Sequence, residues 1–368
     1  MKVEHLYAVN FRNYAALNLN FQAMINVFFG QNAQGKTNIL EALFYSAFGM
    51  SHRTSSEEDL LRWGNNALAT GVAYSNFSGR HEVKIKKYQQ QNRWKKEIFL
   101  DGAKVRPKEH YGSLNVVMFS PEDLQLVKGE PALRRRFFDM QISQTDPLYY
   151  DLLVKYNRLL KELRDGVGTL PALIPWNEEF IRLAAALSKK RLLALAKLEQ
   201  IASDIYASIT QYKEKLTVHY ELKGNNGELF YPETADFCSE EFYRNKLAER
   251  QSVDILRGNT GIGPHRDDLQ LLLNNMSLRS FGSQGQQRSG ALALKLSQLE
   301  YVRQEIGEFP ILLLDDVMSE LDNNRRAQLL QFIDGRVQTF ITVNDKELIP
   351  ALPGTAYFNI VSGIINEA

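Results

Sequence analysis

The sequence predicts an α/β fold in which a sheet with parallel strands carries a P-loop and a mostly helical lobe is inserted. Three observations lead to this prediction. Residues Gly30–Thr37 read G-x-x-x-x-G-K-[ST] between an apolar run and a helical pattern, which is the strand–loop–helix setting that this motif requires. Residues 311–316 read as an apolar strand that ends in two aspartates, and residues 122–254 between the two motifs are mostly helical in pattern.

The order of these features predicts a discontinuous head. A parallel-sheet nucleotide fold needs the phosphate loop and the acidic strand in one sheet, yet the helical region separates them in the chain. We therefore predict that residues 1–118 and 255–368 form the head and that residues 119–254 form an inserted helical lobe. Within that lobe we expect a helix over 148–165, a loop over 166–176, and a helix from Asn177 to about residue 212.

Composition limits the classes of protein that the chain can represent. The 368 residues carry a net charge of only +1, so a nucleic-acid surface must be a local patch. A single cysteine, Cys238, excludes an internal disulfide. The sequence has neither an apolar run of the ~20 residues that cross a bilayer nor an N-terminal apolar run typical of a signal peptide. We expect a cytoplasmic protein.

The phosphate loop predicts a nucleotide site. Successive backbone N–H groups of such a loop point inward, and the helix that follows adds its positive end. Lys36 would supply a point charge for the β- and γ-phosphates, and Thr37 a hydroxyl ligand for Mg²⁺. The predicted nucleotide-binding residues are Gly30, Gln31, Asn32, Ala33, Gln34, Gly35, Lys36, Thr37 and Asn38.

The acidic strand predicts the catalytic carboxylates. Asp315 lies at the end of a strand whose apolar run suits burial on both faces, and it is expected to hold Mg²⁺ together with Thr37. Asp316 follows and, by strand alternation, points to the other side, where it could orient or deprotonate a water molecule. We assign Asp316 and Lys36 as catalytic. The alternative, a strand that ends in a solvated acidic turn, is disfavoured by the phosphate loop upstream.

A third segment predicts an exposed helix start. Ser283 followed by Gln286 is a capping-box pattern, and a strong helical run follows it. The positive end of the helix dipole at such a start favours the binding of an anion. On local sequence alone, an ordinary helix N-terminus is the better interpretation.

Taken together, the motifs resemble the ABC-type ATPases. Residues 283–286 are similar to the signature motif of that family, and residues 315–322 to its acidic strand and D-loop. Further segments narrow the resemblance to the SMC-like branch and, within it, to the RecF family: residues 10–14, 35–42, 51–54, 263–268 and 281–286. The motifs extend from residue 10 to about residue 345.

The resemblance implies a function as well as a fold. It implies an ABC-type ATPase head that dimerises head to head on ATP, with Ser283, Gln284, Gly285 and Gln286 contacting the ATP bound by the partner. It implies binding to DNA, with a preference for single-strand/double-strand junctions at gaps. It also implies recombinase loading with RecR and RecO, and a weak ATPase stimulated by DNA that acts as a switch.

The chain departs from the ABC pattern at two positions. Many ABC ATPases carry glutamate where this chain has Asp316, and the shorter side chain fits slow hydrolysis. Many also place a histidine after the next strand, whereas residues 340–345 contain none. The residue that senses the γ-phosphate is therefore not assigned from the sequence.

Several alternatives remain open at this level. The chain could be the energy-coupling subunit of a membrane transporter, a P-loop phosphotransferase, or a DNA-binding scaffold without turnover. Three basic clusters with adjacent aromatics, 84–88, 93–96 and 133–138, could hold phosphates or be solvated surface. Residues 265–268 (His-Arg-Asp-Asp) match no metal motif and are interpreted as a turn.

Overall fold

The computed structural model describes residues 1–166, 170–224, 227–257, 260–349 and 354–367. The chain divides into two compact units, one formed by Met1–Pro121 with Val302–Ala368 and the other by Glu122–Tyr301. No helix in these described ranges combines the length and the apolar character needed to cross a membrane.

The structure contains short and long strands in both units. The strands are β1 Lys2–Phe11, β2 Tyr14–Asn20, β3 Ile25–Phe29, β4 Ala67–Asn76, β5 Gly79–Gln90, β6 Arg93–Leu100, β7 Ala103–Val105, β8 Val116–Phe119, β9 Leu216–Lys223, β10 Leu229–Phe230, β11 Asp268–Leu273, β12 Met276–Ser277, β13 Ile311–Asp315, β14 Thr339–Val343, β15 Thr355–Val361 and β16 Ile364–Glu367.

Helices separate these strands. They are α1 Lys36–Phe48, α2 Pro107–His110, α3 Gln125–Lys128, α4 Pro131–Thr145, α5 Pro147–Gly166, α6 Leu170–Ile209, α7 Glu240–Arg257, α8 Leu278–Phe281, α9 Gln284–Ile306, α10 Val317–Glu320 and α11 Asn323–Ile333.

A mostly parallel sheet in the first unit positions the phosphate loop. Its strand order is β16-β15-β3-β14-β13-β8, and all neighbours are parallel except the edge pair β15–β16. The phosphate loop follows β3, and the two aspartates end β13. Strand β14 lies between these two strands, so the residues after β14 reach the same edge of the sheet between the two motifs.

The first unit also contains an antiparallel sheet in the order β2-β1-β4-β5-β6-β7. Two tight hairpins connect its last three strands. Gln91 and Asn92 join β5 to β6, and Asp101 and Gly102 join β6 to β7, all four with positive φ. Paired positive φ values match the right-handed twist of the flanking strands.

Helix α1 packs between the two sheets of this unit. It contacts β1, β4 and β5 of the antiparallel sheet and β8, β13 and β14 of the parallel sheet. Eleven of its 13 residues are buried, because a helix covered on both sides has no face left for solvent. The α/β fold predicted from the sequence, a P-loop head with a mostly helical second lobe, is confirmed.

The second unit combines helices α3–α8 and most of α9 with a four-stranded antiparallel sheet in the order β10-β9-β11-β12. Our predicted boundary at residue 254 differs from this division, which places residues 255–301 in the second unit. The physical reason is long-range strand pairing, since β11 pairs along its whole length with β9, from Asp268 opposite Glu221 to Leu273 opposite Leu216.

The helices of the second unit also differ from prediction at one point. The expected loop over 166–176 is wrong for Gly166, which ends α5, and for residues 170–176, which begin the 40-residue helix α6; residues 167–169 lie outside the described residues. Pro171 does not interrupt the helix because it falls in the first turn, where its missing N–H is not needed. The Asn177 position therefore lies inside the helix instead of capping it.

A buried polar network occupies the core of the second unit. Arg191, 3% exposed, donates two hydrogen bonds to Asp139 at 2.9 Å and a third to the carbonyl of Pro264 at 2.6 Å. It also donates to Tyr220 Oη at 3.2 Å, and this hydroxyl donates to Asp267 Oδ2 at 2.8 Å. The interpretation of residues 265–268 as a plain turn is therefore incomplete, because the segment is anchored to a core arginine.

The pKa values of two residues in this segment, Asp267 and His265, are shifted in opposite directions. Burial raises the pKa of Asp267 to about 7, although Arg191 and Tyr220 oppose the shift. Burial also lowers the pKa of His265 to about 4. The His265 ring bonds to Tyr156 Oη at 2.7 Å and to the carbonyl of Thr260 at 3.1 Å, so both ring nitrogens have partners in the neutral form.

Asp267 is expected to make stability depend on pH. The folded carboxyl keeps its proton up to about pH 7, whereas an unfolded one releases it near pH 4. The native state then binds more protons in this window, so the free energy of unfolding falls as pH rises through it. Relative to Asp267→Asn, the wild type should lose up to roughly 4 kcal/mol between pH 4 and pH 8.

Chemical denaturation of both proteins at several pH values measures this difference. Because other groups titrate equally in the two proteins, their contributions cancel. A wild-type-minus-variant difference that stays flat across the window would contradict the assignment of Asp267 as the titrating group.

Candidate nucleotide-binding site

Two glycines shape the phosphate loop. Gly30 has φ +143° and Gly35 has φ +108°, which L-residues with a side chain rarely adopt. A Cβ on Gly30 would lie 2.4 Å from the carbonyl oxygen of Ile360, and one on Gly35 would lie 2.5 Å from Nδ2 of Asn13. The loop thus needs glycine at both positions for its turn and for close packing. Helix α1 begins at Lys36, directly after Gly35, as the motif predicts.

Lys36 lies back over the loop. Its Nζ donates to the carbonyls of Gly30 and Gln31, the second at 2.8 Å, and to Asn344 Oδ1 at 3.0 Å. Burial lowers the pKa of Lys36, and the nearby carboxylates of Asp316 and Asp315 partly offset this. The ammonium is therefore held among acceptors, close to both acidic residues.

Thr37 and Asp315 meet at the edge of the sheet. Thr37 Oγ1 donates to Asp315 Oδ1 at 2.8 Å, and Thr342 Oγ1 donates to the same oxygen at 2.7 Å. Burial raises the pKa of Asp315, whereas the two hydroxyl groups lower it. The structure thus brings together a hydroxyl and a carboxylate that the sequence places 278 positions apart.

Contrary to the prediction, Asp316 does not continue strand β13. Its φ of +52° and ψ of +18° place it in the left-handed region, where it precedes α10. Its N–H donates to Thr342 Oγ1 at 2.9 Å, and its Oδ1 accepts from Ser319 Oγ at 3.0 Å. The prediction that strand alternation directs Asp316 is therefore wrong, since the backbone turns at this residue and Ser319 orients the carboxylate.

Asn344 also contacts Lys36, and the sequence did not predict it as a site residue. It follows β14, the strand between the phosphate-loop strand and the acidic strand, and its Oδ1 accepts from Lys36. The absence of histidine from residues 340–345 had left this position unassigned. The signal that could have found Asn344 is a polar residue at the carboxyl end of a buried strand, which is where ligands of parallel sheets bind.

A buried ion pair braces the start of α1. Arg12 donates to both carboxylate oxygens of Glu41 at 2.7 Å, and Ser51 Oγ donates to one of them at 2.6 Å. Burial alone would raise the pKa of Glu41, but these hydrogen bonds hold it below its usual value. The motifs at residues 10–14 and 51–54 therefore meet on one carboxylate of the phosphate-loop helix.

The same region contacts the phosphate loop directly. Tyr14 Oη donates to the carbonyl of Gly35 at 3.2 Å, and Asn38 Nδ2 donates to Asn13 Oδ1 at 2.8 Å. Arg53 donates to Asn38 Oδ1 at 3.2 Å. Asn38, predicted as a nucleotide contact, is thus also a link between the loop and the turn that joins β1 to β2.

The predicted capping box is confirmed, and the structure places it in the second unit and not in the head. The N–H of Ser283 donates to Gln286 Oε1 at 2.7 Å, and the N–H of Gln286 donates to Ser283 Oγ at 3.2 Å. Gln286 also donates to Glu214 Oε1 at 2.6 Å. Ser283 and Gln284 are exposed. The box therefore fixes the start of the 23-residue helix α9 and leaves these two side chains at the surface.

Comparison with known proteins decides the family. Residues 2–355 match the family described as RecF/RecN/SMC N terminal domain. The DNA replication and repair protein RecF of Natranaerobius thermophilus is 41% identical over 94% of this chain and 92% of its own. The RecF protein of Lysinibacillus sphaericus is 38% identical over the full length of both chains. The chain belongs to the RecF family.

A solved RecF structure has the same fold. The structure described as the recombination mediator protein RecF with ATP in the RecFOR pathway superposes with a TM-score of 0.88 at 32% identity. The match covers 100% of this chain and 97% of that one. The RecF resemblance of the sequence motifs is thus confirmed for the whole chain, including both structural units.

Proposed function

We propose that the protein is an ATP-dependent DNA-binding protein of recombinational gap repair. Its relatives are named DNA replication and repair proteins, and a similar structure is described as a recombination mediator with ATP in the RecFOR pathway. In this proposal ATP drives head-to-head dimerisation on gapped or junction DNA, and slow, DNA-stimulated hydrolysis releases the dimer. The protein assists recombinase loading together with RecO and RecR.

One observation carries the ATP part of the proposal. Four polar residues meet at the carboxyl edge of a parallel sheet. Lys36 donates to Asn344 and Thr37 donates to Asp315, and each pair is distant in the sequence. The helix N-terminus at Lys36 adds a positive end to the same place. A triphosphate is the ligand that uses both the cation and the helix end, with a hydroxyl and a carboxylate left for its metal ion.

The oxygen groups present fit Mg²⁺. Thr37 Oγ1 and Asp315 Oδ1 lie 2.8 Å apart, and Mg²⁺ is held in such sites by few protein oxygens plus water and phosphate. When bound, the ion would neutralise phosphate charge. Its charge would also favour ionisation of Asp315, whose pKa burial raises. Asp316 would orient an attacking water from the position that Ser319 fixes, and Asn344 is placed to contact the terminal phosphate beside Lys36.

The capped start of α9 supports a site completed by a second subunit. Ser283 and Gln284 are exposed at the N-terminal end of a long helix, and such ends attract anions. In the proposed dimer, residues Ser283–Gln286 of one subunit contact the γ-phosphate bound by the partner. The shared phosphate then gives ATP a higher affinity for the dimer than for the monomer, which is what allows it to shift the equilibrium.

Sedimentation of the full chain tests the proposal. We expect a dimer with ATP and a monomer with ADP or without nucleotide, and we expect gapped DNA to bind only the ATP form. A monomer under all three nucleotide conditions would refute the ATP-driven dimer. ATP turnover that does not depend on protein concentration would favour a phosphotransferase instead.

Asp316→Asn is expected to trap the dimer. The substitution removes the carboxylate that would accept a proton from water, but it leaves Thr37 and Asp315 in place for the metal. Loss of a general base typically slows a reaction 10²–10⁴-fold, so turnover should fall by about that factor while the dimer persists. Size-exclusion chromatography after prolonged incubation with ATP measures the persistence. A variant that remains monomeric with ATP would contradict the role of ATP as a clasp.

A further inference from the structure

The basic clusters at residues 84–88 and 93–96 lie on neighbouring strands of the antiparallel sheet of the first unit, and their side chains are divided between its two faces. Strand alternation places Lys84, Lys86 and Tyr88 of β5 on the outer face of the sheet. Lys87 lies on the inner face, the one that packs against α1. On the neighbouring strand β6, Lys95 is opposite Tyr88 and shares its face.

The lysines of the inner face have structural partners. Lys96 Nζ lies 2.7 Å from a carboxylate oxygen of Glu57 and donates to the carbonyl of Gly49 at 2.8 Å. Lys87 lies 3.5 Å from the same carboxylate. These contacts brace the sheet against the end of α1 and leave the outer cations as the candidates for a ligand.

The outer face carries an excess of positive charge. It presents Lys84, Lys86, Arg93 and Lys95, and none of these has a carboxylate within ion-pair distance among the residues that the structure describes. The carboxylates of this face are fewer: Glu97, opposite Lys86 on β6, pairs with Lys104 at 2.6 Å, and Glu82 borders the groove two residues before Lys84. The chain has a net charge of only +1, so this is a local concentration of cations.

Aromatic rings alternate with these cations. Lys84 Nζ lies 5.6 Å from the centre of the Tyr7 ring, and Lys86 Nζ lies 5.4 Å from the centre of the Phe99 ring. Tyr88, opposite Lys95, extends the pattern along β5. Cations that follow a backbone, with aromatic side chains between them for bases, are the features of surfaces that bind single-stranded nucleic acid.

A strip of small residues forms a groove in this face. Strand β4 presents Ala67, Ala69, Gly71, Ala73 and, near its end, Ser75 to the outer side. These small residues lie between the row of His5, Tyr7 and Val9 on β1 and the row of Glu82, Lys84, Lys86 and Tyr88 on β5. The two flanking rows lie about 10 Å apart, since neighbouring strands are separated by about 4.8 Å. A Cβ on Gly71 would lie 2.2 Å from Cζ of Tyr7, so the ring of Tyr7 crosses the floor of the groove.

We propose that this groove along β4, bounded by β1 and β5, binds single-stranded DNA. Lys84, Lys86, Arg93 and Lys95 contact phosphates, and Tyr7 and Tyr88 provide faces on which bases stack. The inference rests on the proposed function, because it supplies the surface for the unpaired strand of a gap. Negative phosphates complement these cations, and the small side chains of β4 leave room above the Tyr7 ring, which covers Gly71, for a base to stack.

The charge contribution is tested with a triple variant, Lys84→Gln, Lys86→Gln and Lys95→Gln. Binding of a fluorescein-labelled oligo-dT of about 30 nucleotides to the full chain with ATP is followed by anisotropy between ~50 and ~200 mM salt. We expect a loss of affinity of about tenfold or more. We also expect the slope of log K against log salt to shrink by about 2, since each single-strand phosphate contact contributes about 0.7.

A matched control carries the same charge change on the second unit: Lys155→Gln, Lys161→Gln and Lys189→Gln, all exposed lysines. This control should keep the wild-type affinity and slope. Unchanged affinity and slope in the β5–β6 variant, or an equal loss in the control, would overturn the inference. A loss confined to blunt duplex DNA would also overturn it, because the groove is assigned to the unpaired strand.

Stacking is tested separately with Tyr88→Ala. This residue is on the outer face, so its removal should lower oligo-dT affinity about tenfold without changing the salt slope. A reduced slope with unchanged affinity at low salt would contradict a stacking role.

Failure of this inference can be told from failure of the proposed function. ATP-dependent dimerisation and gapped-DNA binding of the wild type report on the function. If the wild type binds gapped DNA and all groove variants match it, only the groove is wrong. If the wild type binds no DNA with ATP, the proposed function itself fails.

Discussion

Ser283→Arg should abolish ATP-dependent dimerisation while leaving ATP binding to the monomer unchanged. In the proposed dimer, the Ser283 hydroxyl and the adjacent N–H groups approach the partner's γ-phosphate, and an arginine side chain would occupy that space. A central interface contact of this kind is worth about 2–4 kcal/mol. The dimer dissociation constant should therefore rise ~30-fold or more. Sedimentation with ATP measures the dimer, and equilibrium titration of a fluorescent ATP analogue measures binding.

Ser239→Arg is the matched control for this variant. Ser239 is also exposed and caps a helix of the same unit, because its Oγ accepts from the N–H of Phe242 at 3.2 Å. Both substitutions remove a cap worth about 1 kcal/mol, so the two variants should lose similar stability, and only Ser283→Arg should lose the dimer. Equal dimerisation by both variants would refute the role of Ser283 across the interface.

Lys36→Ala should reduce ATP affinity by a factor of about 100 or more. The substitution removes the only lysine of the phosphate loop, and charge-assisted hydrogen bonds to phosphate contribute about 1.5–3 kcal/mol each. Folding should be retained, because burial lowers the pKa of Lys36: removing the ammonium relieves its desolvation cost, which offsets the hydrogen bonds that are lost. Isothermal titration with ATP measures the affinity, and thermal unfolding without nucleotide measures the stability.

Lys189→Ala, an exposed lysine of the second unit, serves as the control and should bind ATP as the wild type does. Retained ATP affinity in Lys36→Ala would place the nucleotide elsewhere in the chain. A large loss of stability without nucleotide would show that Lys36 supports the fold, in contrast to the expectation from its contacts.

Local patterns sufficed to predict the parts of the site that depend on short segments. The phosphate loop, the acidic strand and the capping box each lie within eight residues, and the structure forms the strand–loop–helix, the buried strand and the reciprocal hydrogen bonds that these patterns indicate. Asp316 is the exception, since its left-handed backbone depends on how the chain leaves β13 toward α10 and not on strand periodicity.

Features that depend on long-range pairing could not be predicted from local patterns. The contact of Asn344 with Lys36 and the ion pair of Arg12 with Glu41 join segments that only the sheet order brings together. The boundary between the units depends on the pairing of β11 with β9, which a local change in texture does not reveal. Arg191 could not be recognised as a core residue because charged residues on a helix are usually at the surface.

The hairpin formed by β1 and β2 connects the phosphate loop with the groove proposed for DNA. Tyr14, at the start of β2, contacts the phosphate loop, and Asn13, in the turn, contacts Asn38 of α1; strand β1 presents Tyr7 to the groove proposed for DNA. In the two proposals, one hairpin therefore adjoins both the loop that would hold ATP and the groove that would hold the unpaired strand. Thermodynamic reciprocity then requires that, if ATP tightens the grip on an unpaired strand by a given factor, the strand tightens the grip on ATP by the same factor.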